Sequence, residues 1–123
     1  MIQKSLIFFL LLTISLNSFE QKTEAVYLNT KDSTKNMYLA VIPENGQMDG
    51  FMVLMDSYNT TPKDLLTLTD IPKQASQNGI LTIIPALSTG SSFFGSDLAS
   101  HESLKEIIDH AVSKYQLKDK NFY

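Results

Sequence analysis

The chain has no cysteine among its 123 residues. That excludes disulfides, thiolate metal sites, a cysteine nucleophile and a lipid-modified N-terminal cysteine. Positive charge is in short supply too: 10 Lys and Arg stand against 13 Asp and Glu, for a net charge of −3. There is no basic cluster, so nothing calls for nucleic acid or an anionic membrane surface as a partner. The glycines never group as Gly-x-Gly-x-x-Gly or Gly-x-x-x-x-Gly-Lys. Without a phosphate-cradling loop a nucleotide or flavin sheet protein is disfavoured, and no cofactor is expected.

Catalytic signatures are missing as well. Nucleophilic hydrolysis needs an activated Ser or Cys, a His base and an oxyanion hole. No serine lies in Gly-x-Ser-x-Gly; the nearest segment, Gly90-Ser91-Ser92-Phe93-Phe94, has Phe94 where the second Gly belongs. A strand-to-helix elbow needs small residues around its nucleophile, so a solvated loop is the better reading there. Of the two histidines, His110 falls on the polar face of a helix and is expected to be exposed, while His101 precedes that helix. Neither has a partner at metal-ligand spacing, so no metal site is expected. Glu102, Glu106 and Asp109 share helical spacing and read as a solvated face. Asn59-Thr60-Thr61 fits the N-glycosylation pattern. Internal repeats and low-complexity tracts are absent.

What is present is an ordinary globular composition, 43% hydrophobic and 19% charged, at the size of one domain. Residues 1–18 stand apart. Met1-Ile2-Gln3-Lys4 is a short basic start, Ser5 to Leu16 is apolar apart from hydroxyl residues, and polar Asn17-Ser18 follows. This is the layout of a secretory signal peptide, too short for a comfortable membrane span. Export to the periplasm or medium is expected, with no integral span after cleavage; an uncleaved anchor is the competing reading. Residues 19–123 then form the folded part.

Glu24–Asn29 and Asn36–Pro43 carry the β-branched and aromatic residues of strands, separated by turn-prone Thr30 to Lys35. An antiparallel hairpin is predicted. Phe51–Met55 and Ile80–Pro85 are short apolar runs, as in strands buried on both faces. The helix-prone segment between them predicts a crossover and a parallel pair. Its helix starts with Thr61 as cap, Pro62 at the first position and Asp64 completing a capping box. Pro72 predicts a break into two short helices, and Asn78-Gly79 a stop. A loop is predicted from Ala86, then a helix with Ser100 as cap. Leu104, Ile107, Ile108, Ala111, Val112 and Tyr115 fall on one face of that helix. Phe122-Tyr123 reads as the opening of another strand, so the sequence looks cut short. The predicted class is therefore α/β, an N-terminal β-hairpin leading into a parallel sheet with crossover helices.

In open α/β sheets ligands bind beyond the carboxyl ends of the strands. Asp56-Ser57-Tyr58-Asn59 occupies such a place, where its backbone N–H groups could face a developing oxyanion. A plain strand-to-helix connection is the competing reading.

The order of hairpin, apolar strand, loop, Thr-Pro-Lys-Asp helix, Asn-Gly, Ile-Leu-Thr-Ile-Ile-Pro strand, loop and amphipathic helix resembles the N-terminal half of an α/β-hydrolase, closest to secreted esterase-like members. The resemblance covers nearly all of the chain after residue 18. It implies that Phe51–Met55 is the strand that ends in the family's His-Gly-x, with Asp56 in the His place, Ser57 in the Gly place and the Tyr58 backbone N–H as oxyanion donor. The departure matters, because losing Gly restricts the loop and an Asp carboxylate opposes an oxyanion. The resemblance further implies that the strand opening at Asn121-Phe122-Tyr123 flanks Phe51–Met55 and leads to Gly-x-Ser-x-Gly, with the acid and the His beyond. Nucleophile, acid and base would then all lie past Tyr123, and this chain would be the N-terminal fragment of an esterase acting on a small-molecule or acylated substrate. A secreted non-catalytic α/β binding domain is the alternative.

Overall fold

The computed structural model describes residues 21–28, 36–55, 60–87 and 98–123. Residues 1–18, and with them the expected signal peptide, lie outside the described residues. The elements are β1 (Thr23–Tyr27), β2 (Asn36–Val41), β3 (Gly50–Val53), α1 (Leu65–Leu68), α2 (Ile71–Gln77), β4 (Ile80–Leu87), α3 (Leu98–Lys114) and β5 (Asn121–Phe122). The strands form one mixed sheet in the order β1-β2-β4-β3-β5. The predicted hairpin is there, with Val26 opposite Tyr38 in an antiparallel register. The predicted crossover is there too: β3 and β4 run parallel, with Phe51 beside Leu81.

Side chains alternate across a strand, so each strand feeds two layers. Tyr38, Ala40, Leu81 and Ile83 join Ile107 and Ala111 of α3 in one core. Leu39, Val41 and Ile84 meet Leu65 of α1 in the other. The sheet is sandwiched between α3 and the α1–α2 pair. Continuous apolar runs in β2 and β4 are the consequence of burial on both faces.

The capping box forms as predicted. The Thr61 N–H donates to Asp64 Oδ2 at 2.8 Å, and the Asp64 N–H donates to Thr61 Oγ1 at 3.3 Å. The Thr61 backbone donor therefore holds the Asp64 carboxyl below its usual range. The helix does break in two, but at Thr69 and Asp70 rather than at Ile71. Pro72 sits inside the first turn of α2, where a missing N–H costs no hydrogen bond. Thr69 takes extended backbone, and its hydroxyl accepts the Ile71 N–H at 3.3 Å. Gly79, at φ +73°, ends α2, and a Cβ there would meet Asp49 Oδ2 at 2.5 Å.

Three expectations are corrected. β4 runs on to Leu87, because Ala86 and Leu87 still pair with Met37 and Asn36. Ser100 does not cap α3; the helix starts earlier, and the serine is a buried residue of its first turn. His110 is not exposed: it is half-buried, and its Nδ1 lies 2.9 Å from the Tyr38 hydroxyl. The helix leans over the hairpin, and the buried phenol needs a partner.

β5 docks beside β3 as the resemblance implied, Gly50 opposite Asn121 and Phe51 opposite Phe122. The Phe51 and Phe122 rings lie 5.0 Å apart, and the Tyr123 N–H donates to the Phe51 carbonyl at 3.0 Å. Gly50 permits this approach, since a Cβ on it would fall 2.6 Å from the Tyr123 ring and 2.9 Å from the Asn121 carbonyl. Met52 and Val53 have no partner on that side among the described residues.

Candidate active-site edge

β3, β4 and β5 are parallel, so their carboxyl ends share one edge of the sheet. The Leu54 N–H donates to the Ile83 carbonyl at 2.9 Å, which carries the β3 ladder one residue past its assigned end. Met55 is already exposed. The chain is next described at Thr60, and from Thr61 it is clamped by the capping box onto the start of α1. Asp56, Ser57, Tyr58 and Asn59, the residues named for the oxyanion site, lie outside the described residues. So does Gly90-Ser91-Ser92-Phe93-Phe94, which follows the carboxyl end of β4. The fold thus supplies the two anchors of the β3–α1 connection: a strand end fixed by its ladder and a helix start fixed by its cap.

The histidines are not brought to that connection. His101 is exposed in the first turns of α3. His110 belongs to a polar seam between α3 and the hairpin. Along this seam Asn36 Nδ2 donates to Glu106 at 3.3 Å, Tyr38 meets His110, and the Tyr115 hydroxyl donates to Glu24 at 2.6 Å. Lys114 Nζ adds an ion pair with Glu24 at 3.3 Å. The Tyr115 hydrogen bond, followed by the Lys114 charge, holds the Glu24 carboxyl below its usual range. Burial, then the Glu24 charge, pushes the Tyr38 phenol up to about 12. Burial and the bond to Glu24 push Tyr115 up as well.

A phenol so reluctant to ionise is a poor acid and a poorer nucleophile. Tyr38 is fully buried besides, out of reach of a substrate. The Tyr38–His110 pair is therefore a structural bond. Sequence reasoning missed it because the partners are 72 residues apart and only the packing of α3 on β2 brings them together. Among the described residues no helix is long and apolar enough to cross a membrane.

No family model matches the sequence, and no curated protein matches it either. Two solved structures from Staphylococcus aureus share the fold. One is FphF, a fluorophosphonate-binding serine hydrolase, substrate-bound, at TM-score 0.61 and 11% identity over 80% of this chain and 43% of that one. The other is the S-formylglutathione hydrolase FrmB, as apoenzyme, at TM-score 0.56 and 11% identity over 83% of this chain and 43% of that one. The chain therefore has a hydrolase-like α/β fold and spans less than half the length of either neighbour.

Proposed function

We propose that this chain is the N-terminal portion of an exported, esterase-like serine hydrolase that cleaves carboxylic esters or related acyl bonds. The observation that supports it best is the strand order, an antiparallel hairpin followed by parallel β4, β3 and β5, in a fold shared with two serine hydrolases. In this reading β5 continues toward the nucleophile, and a serine hydroxyl from the following segment attacks the acyl carbonyl. The alcohol leaves, and water releases the acid from the acyl-enzyme. The backbone N–H of Tyr58 donates to the tetrahedral oxyanion, at the end of a strand held by its neighbours. Residues 1–18 act as a signal peptide, and the mature protein is secreted or periplasmic.

The test is to extend the reading frame beyond Tyr123, express the product, and expose it to a fluorophosphonate probe and a short-chain nitrophenyl ester. Covalent labelling with ester turnover is expected from the extended protein and none from the 123-residue chain. Tyr58→Pro removes that backbone donor, and kcat should then fall about 100-fold or more. An extended protein that neither labels nor turns over ester would favour the alternative, a non-catalytic binding domain. Asp56, which the resemblance sets in the family's His place, is the residue that motivates that alternative. Export is read separately, from the N-terminal sequence of protein recovered outside the cytoplasm.

A further inference from the structure

We propose that a groove between β1 and α1 binds a medium-chain aliphatic carboxylate, the chain lying on Ala25, Met37 and Leu39 and the head reaching Lys63. The groove encloses about 500 Å³, within the range of small-molecule sites. It exists because the helical cover on this side stops short. Leu65 of α1 packs on Leu39, Val41 and Ile84, but α1 is only four residues long. Ala25 and Tyr27 of β1, on the same side of the sheet, are left exposed, while Val26 on the opposite side is buried. Most of the lining is apolar: Ala25, Tyr27, Met37 and Leu39 from the strands, Pro62 and Leu66 from the start of α1.

The polar lining residues are Thr23, Thr61 and Lys63, and among the described residues Lys63 is the one charged side chain lining the groove. Its ammonium makes no ion pair among the described residues. The neighbouring Asp64 carboxylate is turned to the Thr61 N–H and forms no ion pair with the lysine among the described residues. The same capping box fixes the rim before any ligand arrives, which lowers the cost of binding. β1 from Thr23 to Tyr27 presents about 13 Å of wall at about 3.3 Å per residue. That length matches an extended chain of roughly ten carbons. An apolar trough with one cationic end is complementary to an anionic amphiphile. The site would bind without turnover, so it is independent of the catalytic reading.

The experiment is a calorimetric titration of the 123-residue chain with decanoate and, separately, with decanol. Saturable one-to-one binding of decanoate is expected. Ala25→Trp, at an exposed strand position that accepts an aromatic, fills the trough and should weaken both ligands by about tenfold or more. Lys63→Glu, on an exposed site that leaves the core untouched, should weaken decanoate several-fold and leave decanol unchanged. Absence of saturation, or unaltered binding by an Ala25→Trp protein with native circular dichroism, overturns the site. An equal loss of both ligands in Lys63→Glu overturns the placement of the head. Concentration-dependent dimers abolished by Ala25→Trp would hand the groove to a second copy and overturn the ligand.

Discussion

The two faces of the β1–β2 hairpin are finished differently. Toward α3, Val26, Leu28 and Tyr38 are buried, and the remaining polar groups are tied across the seam by His110, Tyr115 and Lys114. Toward α1, Ala25 and Tyr27 are exposed beside a groove. The cause is the length of cover. α3 has 17 residues and reaches past β2 to β1, whereas α1 has four and ends over β2 and β4. A strand face is closed only where a helix is long enough to lie over it. Alternate residues of one strand can therefore differ greatly in what they contribute.

That contrast is sharpest between two tyrosines on facing strands. Tyr38→Ala removes a fully buried aromatic ring and should cost about 3–5 kcal/mol, whereas Tyr27→Ala on the open face should stay within about 0.5 kcal/mol. Urea denaturation of the two variants measures the gap. Equal losses would mean that the open face is covered in solution.

The closed face should also fail first in alkali. The Tyr38 phenol titrates near 10 when unfolded and is pushed up to about 12 in the fold. Its contribution is complete below pH 10 and is lost as pH rises toward 12, at about 1.4 kcal/mol per unit. Denaturation at pH 8 and pH 11 should show the loss, and Tyr38→Phe should blunt it. The phenylalanine variant itself costs about 1–2 kcal/mol at neutral pH, because His110 is left without its hydroxyl partner.

On the α1–α2 side the polar accounting is looser. Thr82 is fully buried, and its hydroxyl has no hydrogen-bond partner among the described residues. It shares that side of β4 with Ile84, two residues on. Thr82→Val replaces the orphaned hydroxyl with a methyl and should raise stability by up to about 1 kcal/mol. A loss of more than that would reveal a partner for the hydroxyl.

Much of the fold could be read in advance, this contrast could not, and the reasons are physical. The hairpin, the parallel β3–β4 pair and the β5 opening were legible because their apolar runs and turn residues are local signals. The split of the helical segment was legible at Pro72, but its position was not: proline tolerates the first turn, and Thr69 took the extended backbone instead. The amphipathic pattern of α3 fixed which face is apolar. It could not show that His110, on the polar side, would meet Tyr38, since that depends on how far the helix leans over the hairpin. The groove was illegible for the same reason, because it is set by where α1 ends relative to β1. Of the candidate site, the Thr61–Asp64 capping box was legible. The strand was expected to run to Met55 but ends at Val53, with one more ladder bond at Leu54, and Asp56 to Asn59 lie outside the described residues.

The smallest effect separates the seam from the core beneath it. Glu24 is a half-exposed carboxylate whose folded pKa is lowered, first by the Tyr115 hydroxyl and then by Lys114. Its stabilisation is fully present above about pH 4.5, the value for the free side chain, and is lost as pH falls through the lower folded value. Solvent screening keeps it to a fraction of about 1 kcal/mol. Glu24→Gln should accordingly lose little at pH 7 and show a flatter stability profile between pH 5 and pH 3 than the parent. Exchange of the β1 amides would report the same event locally, because β1 lies at the edge of the sheet and is the strand that carries Glu24. Loosening of β1 in acid while Leu81 and Ile83 stay protected would show that α3 holds β1 by the polar seam and holds the rest of the sheet by apolar burial.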